Sequence, residues 1–340
     1  MATTNGQYHH TPQSGSLQVA VTGASGFVGR HVVRALVDGG HHVRALTRDR
    51  NKARKLFASL PAGQVAIVQG DITDAGALAE LTAGASAAIH LVGILREGPN
   101  KQTFQRCHVE ATRAILTACI AAKVHRYLHM SALGVKSDGI SDYQRTKWEG
   151  ERLVRATELE WTIFRPGLIH GPDGEFTQLA AGWARGSLTG NIMPYFTRWQ
   201  TDKTVPLGPS VEIAPTVAPV SVLDVAAAFV SSLSREQSVG EIYNLTGPER
   251  LTWPEMLEFI KEHVPHAMDK AAPWGMPGWL GATVAFGAKQ VGLGGLLPFD
   301  VGMAKMGAED SVSELVKVRT QLGLEPKPFR EVFEGYAARV

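Results

Sequence analysis

Short, nearly all-apolar runs alternate with longer stretches of helical spacing along the first half of the chain. Leu17–Gly23 ("LQVAVTG") is such a run, closed by glycine, and predicts a buried strand. Phe27, Val28, His31, Val32, Ala35 and Leu36 then recur at helical spacing, with Arg30, Arg34 and Asp38 turned the other way. "HVRALTR" predicts a second strand and "QVAIVQGDITD" contains a third, followed by a short helix over residues 75–83. "SAAIHLVGI" is a fourth strand, residues 103–122 a long helix, and "RYLHMSAL" a fifth strand. The helix of "SDYQRTKWEGERLV" and the strand of "EWTIFRPGLIHGP" complete the series. Strands this apolar, joined by helices, predict a parallel sheet covered on both faces.

The alternation breaks after Gly171. Residues 172–216 are rich in glycine, proline and aromatics, and order resumes with "APVSVLDVAAAFVSSL" and the late strand of "EIYNLTGPE". "LTWPEMLEFI" opens a helix with Thr252 as its expected N-cap. The division this implies is a sheet domain over 17–171 plus about 216–247. A smaller, discontinuous C-terminal lobe for substrate or partner takes about 172–215 plus 248–340. Residues 1–16 carry no apolar run and no charged side chain; they read as a disordered tail and not as a signal peptide, with His9 and His10 as bland polar residues.

Composition narrows the classes. Of 340 residues, 44% are hydrophobic and 19% charged, which fits a soluble globular chain, and a net charge of +2 gives no case for a nucleic-acid partner. Cys107 and Cys119 are the only cysteines; with no CxxC and no disulfide framework, a reducing compartment fits.

"TGASGFVG" puts Gly23, Gly26 and Gly29 at the turn between first strand and first helix. A dinucleotide pyrophosphate needs backbone N–H groups aimed at it, a helix N-terminus behind them and no Cβ in the way. The loop, Ser25, Phe27 and Val28 included, is the candidate phosphate site, and the expected fold is α/β: a Rossmann-type doubly wound parallel sheet. The spacing is GxxGxxG, with Ala24 where the GxGxxG fingerprint wants its second glycine.

That altered spacing, with Tyr143-x-x-x-Lys147 beyond the fifth strand, resembles the short-chain dehydrogenase/reductase superfamily. "GDITD", "RPGLIHGP" and "PVSVLDVAAAF" look like its extended and atypical branch, related to NAD-dependent epimerases and dehydratases. "HLVGILREG", "HVEATRAIL", "HMSALGV", "YQRTKWEGERLV" and "WTIFRPGLIHGP" more narrowly resemble the group named for the nucleotide-binding accessory subunit of respiratory complex I. The resemblance runs from about residue 18 to 248. It implies adenine contacts at Asp71 and Ile72, backbone of Val92 and Gly93 along the adenosine ribose, and nucleotide contacts at Pro166 and Ile169.

The end of the second strand decides which nicotinamide is expected. An NAD site usually carries a carboxylate there, to accept from the ribose 2′-hydroxyl. Here Thr47 and Arg48 occupy it, with Lys52 one turn further, which suits a 2′-phosphate and hence NADP(H), with NAD(H) as second choice. Asp49 would repel that phosphate if it turned inward.

On a helix, Tyr143 and Lys147 share one stripe with Gly150 and Val154. Free tyrosine, with a pKa of about 10, is a poor base at pH 7, and a neighbouring ammonium lowers that value. Ser131 at the carboxyl end of the fifth strand is placed to hydrogen-bond the same substrate oxygen, so Ser131, Tyr143 and Lys147 are the candidate catalytic set. Many relatives carry an asparagine where this chain has His108, which can hold water, shuttle a proton or simply pack. No metal site is expected.

Two functions stand against each other: an NADP-dependent oxidoreductase or epimerase-like enzyme acting on a small, apolar or ring-containing substrate, and a non-catalytic NADPH-binding module of a respiratory or quinone-related complex. A nucleotide-sensing regulator is a weaker third. The protein is expected to be cytoplasmic, with peripheral contact at the inner membrane face, a respiratory-complex partner and a homo-oligomer left open. One segment bears on that contact. Residues 271–288 hold no charge, and their two prolines and four glycines argue against a spanning helix. The segment is core or lid by one reading, and a membrane-surface or quinone-facing element by the other.

Overall fold

The computed structural model describes residues 15–98, 102–201, 209–292 and 297–340. The expected tail, with His9 and His10, lies almost wholly outside the described residues. The first half runs β1 (Gln18–Thr22), α1 (Phe27–Asp38), β2 (His42–Thr47), α2 (Arg50–Leu56), β3 (Val65–Gln69), α3 (Ala75–Thr82), β4 (Ala87–His90), α4 (Ala111–Ala121), β5 (Arg126–Met130), α5 (Asp142–Arg155) and β6 (Glu160–Pro166). The second half runs β7 (Ile169–His170), α6 (Glu175–Ala184), β8 (Ile192–Thr201), β9 (Ser210–Ile213), β10 (Thr216–Val217), β11 (Val220–Ser221), α7 (Val222–Ser232), β12 (Glu241–Leu245) and β13 (Leu251–Thr252). It ends with α8 (Trp253–His263), β14 (Ala272–Pro277), α9 (Gly278–Gln290), α10 (Val301–Met306), α11 (Val316–Leu322) and α12 (Phe329–Glu334).

Seven strands form one sheet in the order β12-β6-β5-β4-β1-β2-β3, every neighbouring pair parallel. The apolar runs explain why. β1 sends Val19 and Val21 into a core under α1 and α7, and Ala20 into a core under α3 and α4, so both faces are covered. This is the doubly wound Rossmann-type α/β fold. Strand order reverses between β1 and β4, the place where open α/β sheets bind ligands beyond their carboxyl ends.

A separate core gathers residues of α6, β8, α8 and α12, among them Ala180, Trp183, Met193, Leu257, Ile260 and Phe329. Thr252 caps α8 through a full capping box with Glu255. The predicted helix over 103–122 is not uniform. Residues Gln105–Glu110 form a π-helical turn before α4 continues, a widening of the kind often found beside functional sites. Val318 and Leu322 of α11 join the core of α1 and α7, although they lie late in the chain.

Candidate active site

The glycine loop stands where the first strand meets α1. Gly23 has φ +72°, and a Cβ there would lie 3.0 Å from the Leu91 carbonyl carbon. A Cβ on Gly29 would sit 2.0 Å from the Gly23 carbonyl oxygen, so only glycine lets the helix approach this closely. Gly26 is the N-cap of α1 and lends it no side-chain hydrogen bond, which leaves the first-turn N–H groups free for an anion. Ser25 is half-buried beside it, Val28 is buried, and the Phe27 ring packs under Gly171 and Gly174, closing the loop from below. The backbone therefore fits a pyrophosphate, with the N-terminal dipole of α1 behind it.

Thr47 is buried at the end of β2, and Arg48 beside it is exposed. Asp49, the residue that could repel a 2′-phosphate, is committed elsewhere: its carboxylate accepts the Lys52 backbone N–H at 2.9 Å and caps α2. Asp71 accepts from the Thr73 hydroxyl at 2.8 Å and from Arg106 at 2.9 Å. Burial opposes ionisation of Asp71, but these hydrogen bonds outweigh it and hold its carboxyl below the usual range. Ile72 is half-buried against the core of α3 and α4.

Val92 and Gly93 follow β4 and tie the two halves of the site together. A Cβ on Gly93 would meet the Lys147 ammonium at 2.7 Å. Lys147 is only 3% exposed and donates to the Met130 carbonyl at 3.0 Å, at the end of β5. Burial pulls its pKa down to about 8, while Glu151 and Cys107 hold it up. Tyr143, one turn earlier on α5, sets its ring edge-on to His108 and Phe104, with centroids 5.3 and 5.9 Å away. Burial pushes the phenol above its ordinary value. The lowering expected from Lys147 does not appear; burial alone sets the direction of the phenol's shift.

Ser131 is buried and donates its hydroxyl proton to Glu151 Oε1 at 2.5 Å. Glu151 has no exposed side-chain surface and also takes both arms of Arg165, at 2.7 and 2.6 Å. Sequence reasoning missed Glu151 and Arg165. The one local hint was that Glu151 follows Lys147 by four residues on the same face of α5; its partners lie 20 and 14 residues away.

His108 sits in the π-helical turn and pins two elements. Its Nδ1 lies 2.9 Å from the Thr146 hydroxyl on α5, and its Nε2 accepts the Ile94 N–H at 3.2 Å. Burial first, then the Lys147 charge, pulls its pKa down to about 2, so it stays neutral. That makes it a brace between α5 and the loop after β4. Pro166 ends β6 and accepts from the Leu133 N–H at 2.9 Å, and Ile169 pairs with Val220 just beyond. Both stand at the carboxyl end of the sheet. Of the aromatics after Gly171, Trp183 is buried in the third core, Phe196 packs on Phe299 at 5.0 Å, and Trp199 is 57% exposed.

A family model described as NAD(P)H-binding matches residues 23–190. The chain is similar to ceramide reductase of Caulobacter vibrioides, 36% identical over 167 residues that cover 48% of this chain and 51% of that protein. It is also similar to NADH dehydrogenase [ubiquinone] 1 alpha subcomplex subunit 9 of Dictyostelium discoideum, 26% identical over 255 residues, 74% of this chain and 66% of that protein. The chain thus spans between half and two thirds of the length of these relatives. The Escherichia coli NADPH-dependent quinone oxidoreductase QOR2, solved with NADPH, shares the fold with a TM-score of 0.65 at 18% identity, covering 92% of this chain and 97% of that one. Glycine loop, parallel sheet and these matches together show an NAD(P)H-binding Rossmann-type domain, and they support the resemblance to the epimerase-like extended and atypical branch of the short-chain dehydrogenase/reductase superfamily.

Proposed function

We propose that the protein is an NADP(H)-dependent oxidoreductase acting on a carbonyl or carbinol of an apolar substrate, with Tyr143 as acid/base. The observation that carries this is Lys147, a buried ammonium held against Gly93 at the carboxyl end of the sheet, one helical turn from Tyr143. A lysine buried this deeply is costly unless its charge is used. The glycine loop would hold the dinucleotide, which when bound would supply or accept the hydride. Lys147 holds a ribose hydroxyl and, once turned from Met130, favours the Tyr143 phenolate. Tyr143 gives a proton to the carbonyl oxygen during reduction and takes it back in the reverse direction. Ser131, its proton committed to Glu151, accepts from the hydroxyl so formed and orients it. Arg48 and Lys52 meet the 2′-phosphate; the capping role of Asp49 removes the one carboxylate that would oppose it. An apolar substrate is in keeping with the ceramide reductase likeness.

The second reading is a nucleotide-binding module without turnover, in peripheral contact with a membrane or a respiratory complex. Two observations favour it: Ser131 and Lys147 already have partners within the chain, and a complex I subunit is among the relatives. NADPH oxidation against a ceramide-type ketone, a quinone and a nucleotide sugar separates the two. Turnover of the lipid ketone, faster with NADPH than NADH, is expected. Tight NADPH binding with no turnover of any of the three would favour the module.

A further inference from the structure

Helix α9 is inside out. Its inward face is built from small residues: Gly278, Gly281, Ala282 and Ala285 are buried. A Cβ on Gly281 would press to 2.4 Å from the Phe196 ring, and one on Gly278 to 2.7 Å from Ala308. Its large apolar side chains point the other way. Trp279 is 62% exposed, Phe286 57%, Val284 44% and Leu280 38%, with Trp274 just before the helix and Val291 just after it also exposed. An amphipathic helix that packs on a core does the reverse, and a concentrated apolar patch on a surface marks something that covers it.

The charges indicate what that is. From residue 271 to 299 the sequence has a single charged side chain, Lys289, and no carboxylate. Lys289 is exposed near the end of α9, and Lys305 is exposed on α10, which packs against α9. Neither makes an ion pair among the described residues. A face of tryptophan, phenylalanine and aliphatic side chains, flanked by unpaired cations, with the next carboxylate along the chain, Asp300, committed to capping α10 through the Met303 N–H at 2.8 Å, matches the boundary between acyl chains and anionic headgroups. No helix among the described residues is long and apolar enough to cross a membrane, so the helix would lie in that boundary. We infer that the outer face of α9, with Trp274, docks the protein onto an anionic lipid bilayer surface. This names the face by which the peripheral contact just considered would be made, and it requires neither turnover nor complex assembly.

The full chain is floated with vesicles of phosphatidylcholine containing one quarter phosphatidylglycerol, and with pure phosphatidylcholine vesicles. The wild type should float with the anionic vesicles and less with the neutral ones. Removing two apolar anchors by Trp279→Ser with Phe286→Ser should cut partition more than about tenfold, and Lys289→Gln about fivefold. Unchanged melting curves would show that the variants still fold. Failure to float, equal flotation with both vesicle types, or flotation unmoved by the double variant would overturn the assignment. So would a wild-type oligomer in solution that the double variant dissolves, since a second copy would then cover the face. Turnover is not read, so a chain that floats but does not oxidise NADPH would sink only the catalytic proposal.

Discussion

Helices α5 and α9 both break the rule that apolar side chains face inward, and they break it in opposite ways. α5 turns Lys147, Glu151 and Gln144 into the protein, and α9 turns Trp279, Val284 and Phe286 out of it. On α5 the cost of burying polar groups is offset inside the chain: Glu151 by Arg165 and Ser131, Lys147 by the Met130 carbonyl, and Gln144 by the Ile140 N–H at 2.8 Å and the Gly134 carbonyl. On α9 nothing among the described residues covers the exposed side chains. We read the inverted helix whose partners are internal as a preorganised site, and the one whose partners are missing as an interface. Four expectations test that contrast.

Acid should have the largest effect, and it falls mostly on the α5 side, with His170 packed instead on Phe329 and Tyr336 of the separate core. His90, His108 and His170 have pKa values near 3, 2 and 3, and His129 lies well below its ordinary value, each because burial disfavours the charged ring. Their folded pKa values lie below the unfolded value of about 6.5, so the unfolded chain binds more protons in acid. Stability is then complete above about pH 6.5 and is lost as pH falls toward 3, approaching about 1.4 kcal/mol per pH unit for each histidine. Urea midpoints measured between pH 8 and 5 should fall steeply below 6.5. A flat profile would mean that these rings are not buried neutral.

Glu151→Gln comes next. It removes one partner of a buried ion pair, and such losses cost about 3–5 kcal/mol. Urea unfolding at pH 7.5 reads this; a loss under about 1 kcal/mol would show that Glu151 is not the keystone of the inward face of α5. Arg48→Ala should be milder, with the NADPH-over-NADH preference in titration calorimetry falling about tenfold, the worth of one charge-assisted contact near 1.4 kcal/mol. Trp279→Ser should be smallest, within about 0.5 kcal/mol of wild-type stability, because the residue is exposed and supports nothing internal. A cost near that of Glu151→Gln would mean that α9 has a covering partner within the chain.

Much of this was legible in the sequence for a local reason. Strand periodicity, the glycine loop, the Thr252 cap and the Tyr143–Lys147 stripe each depend on residues a few positions apart. What escaped depends on distant ones. Glu151 acquires meaning only when β5 and β6 bring Ser131 and Arg165, 20 and 14 residues away, to the same point. The state of the phenol depended on its burial beside Phe104 and His108, which no side-chain pattern announces. His108 could be read as a proton carrier or as packing until Ile94 and Thr146 were seen to clamp both its nitrogens. The stretch from Ala271 to Ala288 was recognisable as unusual, yet which of its apolar residues face outward depended on the packing of Phe196 against Gly281.

The most direct test of the inward face of α5 as an acid–base site is Tyr143→Phe, which deletes one hydroxyl and leaves the ring packed on Phe104 and His108. NADPH affinity and single-turnover hydride transfer to a lipid ketone are measured on the same preparation. Under the proposed mechanism transfer should fall about 100- to 10,000-fold while NADPH affinity stays within a few-fold, because general acid–base catalysis would reside in the phenol and cofactor binding in Lys147 and the glycine loop. A Tyr143→Phe variant that transfers hydride as fast as the wild type would contradict the account.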